Sequence, residues 1–226
     1  VWRPIGRTLC GVGRPAHNVG RPAHRGSRLT FPSRTRHNSP QDILRLSMRE
    51  AGQHIERYRI RSDVAVYYVT FSVVQWLPVF VSEAACRIVT ESLNFCHQQK
   101  GLRTNAFVIM PTHLHAIVFH RDYSPLALAQ VLTDFRKFTG RQLCDHCAEH
   151  LPPCFSDVLR ESAGDDRERR FWQGSRHPEA LLTENFWRQK LDYSHENPCR
   201  KGLVRRAGDW RFSSAAYWLS EGQTPS

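Results

Sequence analysis

Two histidines separated by one residue, His113 and His115, are the side chains of this sequence best suited to metal chemistry. They lie between two apolar runs, 107–110 and 116–119, whose Val, Ile and Phe content is typical of buried strands. Side chains two residues apart on a strand point to the same face, so both imidazoles are predicted to project from one face of a sheet. Two such imidazoles form half of a divalent metal site, although two ordinary core or surface histidines would have the same spacing.

A predicted helix over residues 184–196 carries the second group of candidate residues. Thr183 is a suitable N-cap, and the Asn-Pro pair at 197–198 is expected to end the helix. Tyr193 and Asn197 are four residues apart and therefore share a helix face. If this face meets the histidine pair, Asn197 can supply an oxygen ligand and Tyr193 a nucleophile for a metal-bound phosphate. A lone tyrosine is more often a packed aromatic with a hydrogen-bonded hydroxyl.

The order of the predicted helices and strands that position these residues indicates an α+β domain. Ser82 and Ser124-Pro125 mark the starts of two earlier helices, and residues 155–178 are predicted to form a polar loop. The order strand, helix, strand, strand, helix, connection, helix predicts a ferredoxin-like antiparallel sheet with helices packed on one side. The predicted strands are 64–73, 105–110 and 113–119, and the first predicted helix is 83–99.

Composition limits the class of protein. The 226 residues suit one domain, predicted over 60–218, with a tail at 1–47 and another at 219–226. A hydrophobic fraction of 40% supports a packed core. The absence of a long apolar run or a secretory signal pattern predicts a cytoplasmic protein with no membrane partner. Seven cysteines without a regular framework predict reduced thiols.

The net charge of +11 is concentrated at the N-terminus. Residues 1–61 hold thirteen arginines and three acidic residues, a net +10, which leaves only +1 for the rest of the chain. The high isoelectric point is therefore weak evidence that the folded part binds nucleic acid. Residues 1–47 are rich in Arg, Pro and Gly and are predicted to be disordered. They are either a DNA-contacting arm or upstream sequence preceding an internal start at Met48.

Two further groups of residues have a weaker signal. Arg136, Lys137 and Arg141 lie off the apolar stripe of the helix that starts at Ser124, where they could contact phosphates or form an ordinary solvated face. Cys144, Cys147, His150 and Cys154 have zinc-like spacing, but a second Cys-x-x-Cys pair is missing. Structural zinc is therefore the minor alternative there.

Three ordered motifs carry a resemblance to a known family. Residues 110–118, Met-Pro-Thr-His-Leu-His-Ala-Ile-Val, resemble the histidine-pair motif of single-tyrosine HUH transposases. Residues 192–204 followed by 209–214 are similar to REP-associated tyrosine transposases, and residues 135–143 resemble their middle helix. The likeness covers roughly residues 60–218, and three ordered motifs make it far more specific than a histidine pair alone.

The resemblance implies an HUH endonuclease fold and a metal-dependent DNA transposase that nicks and rejoins single-stranded DNA at hairpins such as REP-like palindromes. It implies that His113 and His115 bind Mg²⁺ or Mn²⁺ with Asn197 as third ligand, a role for which His195 is the alternative. It further implies that Tyr193 attacks the phosphorus, leaving a 5′-phosphotyrosine and a free 3′-hydroxyl. The protein would act as a monomer or homodimer.

Departures from the family pattern affect specificity more than chemistry. Thr112 and Cys199 replace residues common in the family, and the stretch 144–170 looks longer than usual, which puts the hairpin specificity in doubt. Two other functions remain open from the sequence. One is a domesticated protein that binds hairpin DNA without cutting it, and the other is a metal-dependent phosphoester hydrolase in which Tyr193 is structural.

Overall fold

The computed structural model describes residues 60, 63–165, 167–174 and 178–220. All of them belong to one compact unit. The predicted tail at 1–47 and residues 221–226 of the predicted C-terminal tail lie outside the described residues.

A four-stranded antiparallel sheet with the order β2-β3-β1-β4 lies at the centre of the described residues. A helix separates β1 from β2, a hairpin joins β2 to β3, and further helices precede β4. This is the ferredoxin-like arrangement, so the predicted α+β fold is confirmed. The strands are Tyr67–Ser72 (β1), Leu102–Met110 (β2), His113–His120 (β3) and Glu179–Ala180 (β4).

The helices begin where the sequence provides caps. The side chains of Ser82, Ser124 and Thr183 each accept a hydrogen bond from the backbone N–H three residues later. None of the described helices is long and apolar enough to cross a membrane. The helices are Glu83–Gln99 (α1), Pro125–His150 (α2), Pro153–Glu161 (α3), Glu184–Arg200 (α4) and Ala215–Leu219 (α5).

The two faces of the sheet are covered differently. On one face the α1–α2 layer encloses the larger core, in which Phe71 of β1 meets Phe135 of α2 with ring centroids 5.6 Å apart. Each fully buried side chain such as Leu114 contributes about 1.5–3 kcal/mol to folding. The predicted one-sided packing holds for α1 and α2, whereas α4 lies on the opposite face, where Leu191 packs in a smaller cluster with Ile117.

Two segments differ from the sequence prediction. Helix α3 occupies the start of the predicted loop 155–178, because Pro153 opens a helical turn that buries Leu159 completely. Helix α4 continues through the predicted Asn-Pro stop to Arg200. Pro198 removes one backbone donor only near the end of the helix, and the chain turns at Gly202, where φ is +70°.

The C-terminal segment covers the outer edge of β2. The indole of Trp210 donates to the Ile109 carbonyl at 2.9 Å, and the Ile109 N–H donates to the Phe212 carbonyl at 2.9 Å. The Ser214 N–H donates to the Phe107 carbonyl at 3.0 Å. The segment therefore satisfies backbone groups that an open strand edge would expose.

Candidate functional site

The histidine pair lies at the start of β3. His113 is in register with Ser72 of β1, and His115 with Thr70. The two imidazole centroids are 4.5 Å apart. The rings therefore lie side by side on one sheet face, as the two-residue period requires.

Hydroxyl groups hold one nitrogen of each ring. The Nδ1 atom of His115 lies 2.8 Å from Thr70 Oγ1, and that of His113 lies 2.9 Å from Thr112 Oγ1. A partner at Nδ1 fixes the orientation of the ring and leaves Nε2 as the nitrogen for a ligand. The departure from the family pattern at Thr112 therefore supplies a contact to the histidine pair.

Burial keeps both imidazoles neutral at physiological pH. It lowers the pKa of His113 to about 4, with a further contribution from the charge of Lys201. It lowers the pKa of His115 to about 3, helped by His113 and the charge of Lys190. Neutral imidazole is the form that binds metal ions.

Helix α4 brings Tyr193 to this pair. The Tyr193 ring centroid lies 5.7 Å from that of His115, and the residue remains 40% exposed. The Arg200 guanidinium carbon lies 5.5 Å from the Tyr193 ring centroid, within the range of a cation–π contact. A phenol that is exposed beside the buried His115 and the half-buried His113 is accessible to a large substrate.

Asn197 and His195 have different surroundings. Asn197 is buried one helical turn beyond Tyr193, and its backbone carbonyl accepts a hydrogen bond from the Lys201 N–H. His195 instead has its Nε2 atom 2.9 Å from the hydroxyl of Ser214. His195 thus ties α4 to the C-terminal segment.

Tyr68 is a neighbour of the histidine pair that the sequence analysis missed. Its ring stacks on His115 with centroids 5.3 Å apart and an angle of 23°. Burial raises the pKa of its hydroxyl, which has no hydrogen bond of normal geometry although Ser194 and Thr70 lie near it. Strand alternation could have suggested this residue, because Tyr68 and Thr70 share a face of β1.

Lys190 and Glu179 form a second missed feature. Lys190 Nζ lies 4.7 Å from the Tyr68 ring centroid and 2.9 Å from Glu179 Oε1. The side chains are only 18% and 15% exposed, so this ion pair is largely desolvated. The spacing of Lys190 from Tyr193, three residues on one helix, is the signal that could have found it.

The three predicted DNA-binding residues do not join this site. Arg136, Lys137 and Arg141 lie on α2, in the layer behind the opposite face of the sheet. The guanidinium of Arg136 lies 5.9 Å from the Phe71 ring centroid and donates to the Gln173 carbonyl. These residues instead line an open groove of about 580 Å³.

The cysteine cluster does not form a zinc site in the part of the chain that the structure describes. Cys144 and Cys147 are buried on one side of α2, whereas Cys154 is exposed. No group of three or more His, Cys, Asp or Glu side chains suited to a metal occurs among the described residues. Burial raises the thiol pKa to about 11 for Cys144 and about 12 for Cys147, as expected of core cysteines.

Comparisons with known proteins agree with the fold. No family model matches the sequence, and no curated protein matches it significantly. A solved structure of a REP-associated tyrosine transposase bound to a REP hairpin is similar, with a TM-score of 0.53 and 17% identity over 74% of this chain and 87% of that chain. A candidate transposase from Deinococcus radiodurans R1 has a TM-score of 0.40 and 15% identity over 60% of this chain and 92% of that one. The chain therefore has a transposase-like fold, similar to that of a REP-associated tyrosine transposase.

Proposed function

We propose that this protein is a metal-dependent DNA transposase that nicks and rejoins single-stranded DNA at hairpins through a tyrosine intermediate. The observation that carries the proposal is the convergence of His113, His115 and Tyr193 from two separate elements. A phenol beside a potential metal site is the arrangement needed for nucleophilic attack on a phosphodiester. The similar structure of a REP-associated tyrosine transposase bound to a REP hairpin supports hairpin DNA as the substrate class.

Mg²⁺ or Mn²⁺ is the metal ion that we propose for this site. His113 and His115 offer neutral nitrogens whose rings are oriented through Nδ1, and the amide oxygen of Asn197 is the proposed third ligand. The metal ion would act as a Lewis acid that polarises the phosphoryl group. DNA oxygens would complete the coordination.

Tyr193 provides the covalent chemistry. Its phenolic oxygen bonds to phosphorus and loses its proton, while the bond from phosphorus to the 3′-oxygen breaks. The departing oxygen takes up a proton and becomes a free 3′-hydroxyl, and the 5′-phosphate remains on the tyrosine. Attack by a 3′-hydroxyl on this phosphotyrosine reverses the reaction and rejoins DNA.

Cations at the end of α4 complete the proposed site. Arg200 lies against the Tyr193 ring, and the charge of Lys201 acts on His113. A guanidinium and an ammonium at this position can bind the non-bridging oxygens of the phosphate. They would hold the phosphorus in line for the tyrosine oxygen.

The decisive experiment is capture of the covalent intermediate. Wild-type protein mixed with single-stranded hairpin DNA and Mn²⁺ should give a protein–DNA species that survives denaturing electrophoresis. Tyr193→Phe removes one exposed hydroxyl, so the species should disappear while folding and DNA binding persist.

Two other tyrosines serve as matched controls. Tyr123 stacks on Phe119 and Tyr217 contacts Trp218, and both lie outside the motif that carries Tyr193. Their Phe variants should form the adduct as the wild type does. Normal adduct formation by Tyr193→Phe would refute the assigned nucleophile. DNA binding without an adduct in the wild type would favour the non-cutting alternative.

A further inference from the structure

A basic groove lies between α2 and the segment 167–174. Helix α2 contributes Lys137 and Arg141, which are exposed and four residues apart, and the half-buried Arg136, whose guanidinium donates to the Gln173 carbonyl. The facing segment contributes Arg167, Arg169 and Arg170. Glu168 is an acidic residue among the described lining residues, and the ion pair of Asp145 with Arg169 at 2.9 Å partly offsets the groove charge. A groove with such an excess of cations is suited to a polyanion.

Contacts with α2 hold this segment in place. The Trp172 indole is buried and donates to Thr139 Oγ1 at 3.0 Å. Gly140 faces this indole, and a Cβ added there would lie 3.4 Å from Trp172 Cδ1, at the edge of ordinary van der Waals contact. The Arg170 N–H donates to the Leu159 carbonyl at 2.9 Å. The groove is therefore preformed, and binding would not have to order the segment.

The sheet separates this groove from the site at Tyr193. Arg136 contacts Phe71, whose side chain points away from the face that carries Thr70 and His115. The groove nevertheless lies near the same end of β1 as the histidine pair. The Gln173 N–H donates to the Ser72 carbonyl at 2.8 Å, and Ser72 is in register with His113. A strand leaving the site could pass around this edge of the sheet.

We infer that the groove binds the phosphate backbone of single-stranded DNA that flanks the cleaved position, an inference that rests on the proposed DNA substrate. Guanidinium groups match phosphate oxygens, which accounts for the two facing basic rows. Phe171 and Trp172 are buried, so they offer little surface for base stacking. The contacts are therefore independent of base sequence, and they position DNA without taking part in the chemistry. A volume of about 580 Å³ suits a few nucleotides of one strand.

Binding of labelled oligothymidine by fluorescence anisotropy tests this inference without knowledge of the natural hairpin. Lys137→Glu with Arg141→Glu reverses two exposed charges of the groove and should weaken binding by about tenfold or more. Loss of two phosphate contacts should also lower the slope of log affinity against log salt by about 1.4. Arg87→Glu with Arg121→Glu makes the same charge change elsewhere on the exposed surface and should have a much smaller effect.

The outcomes separate this inference from the proposed function. Oligothymidine affinity reports on the groove and the covalent adduct reports on Tyr193, so a failure of this inference can be told apart from a failure of the proposed function. Equal losses in the groove variant and its charge-matched control would overturn the inference and leave the nucleophile assignment untouched. Equal losses for oligothymidine and a blunt duplex of the same length would also overturn it, since the groove would then not select single strands. Circular dichroism would verify that both double variants are folded.

Discussion

At the level of single residues, the candidate site combines buried, neutral imidazoles with an exposed phenol. Burial removes the positive charge that would repel a metal ion from His113 and His115. Exposure of Tyr193 keeps its hydroxyl accessible to DNA. The exposed and buried components have to come from different elements, because a strand in the middle of a sheet cannot present a large side chain to both the core and the solvent.

Replacing both His113 and His115 with Asn should abolish divalent-dependent cleavage. Asn retains a polar group opposite the Thr70 and Thr112 hydroxyls but lacks the imidazole nitrogen for the metal. Loss of the ligand pair should reduce the rate of adduct formation by about 100-fold or more, measured across a Mn²⁺ titration.

The matched control for that experiment is His150→Asn, which changes an exposed histidine on α2. Cutting at the wild-type rate by the double variant would exclude the histidine pair as the metal site. Thermal unfolding of both proteins would separate a chemical effect from loss of structure.

At the level of elements, helix α4 positions several residues of the candidate site. It carries Lys190, Tyr193, Asn197 and Arg200 within about three turns. Leu191 anchors it on the sheet, and the contact of His195 with Ser214 connects it to the C-terminal segment. The buried ion pair of Lys190 with Glu179 joins the helix to β4. The position of Tyr193 therefore depends on contacts that lie outside the reacting groups.

Breaking the Lys190–Glu179 pair should destabilise the protein and misplace Tyr193. Lys190→Met leaves the Glu179 carboxylate largely buried beside an apolar side chain, which should cost about 3 kcal/mol of unfolding free energy, measured by urea titration. Adding Glu179→Gln neutralises this carboxylate and should recover part of that loss. If the changes in unfolding free energy of Lys190→Met and Glu179→Gln simply added up in the double variant, the two side chains would not be coupled and the prediction would be wrong.

At the level of the whole molecule, the two faces of the sheet have different tasks. The α1–α2 layer buries the larger core, and the opposite face is covered by α4 with a smaller cluster. The less enclosed face therefore has room for polar groups that a full core would exclude. Buried histidines make the stability of the fold depend on pH, because burial disfavours their charged forms in the folded protein.

Stability should fall as the pH is lowered from about 6.5 towards 4. His115 and His195 have folded-state pKa values of about 3 and about 4, below the value of about 6.5 for an unfolded histidine. In that window the unfolded chain binds more protons, so the free energy of unfolding rises with pH by up to about 1.4 kcal/mol per unit for each group. Urea titrations between pH 7 and pH 5 measure this slope.

His195→Gln provides the internal test of that slope. Glutamine can keep a hydrogen bond with Ser214 but cannot titrate, so the variant should have a shallower dependence on pH than the wild type. An identical slope in His195→Gln and wild type would show that His195 is not responsible.

Several features follow from the sequence by itself because they depend on local periodicity. The two-residue period of a strand puts His113 and His115 on one face, and the helical period does the same for Tyr193 and Asn197. Helix starts at Ser82 and Ser124 follow from cap chemistry within a few residues. The order of elements then limits the sheet to a small set of topologies, of which the ferredoxin-like one is observed.

Only the tertiary structure decided which of these faces meet. Tyr68 and Lys190 join the histidine pair through contacts between elements far apart in sequence, and no local period encodes such pairs. The layer that holds α2 directs Arg136 and its neighbours away from Tyr193, which their position in the sequence does not reveal. Packing likewise extends α4 through Pro198, because burial against the rest of the fold outweighs one lost backbone donor.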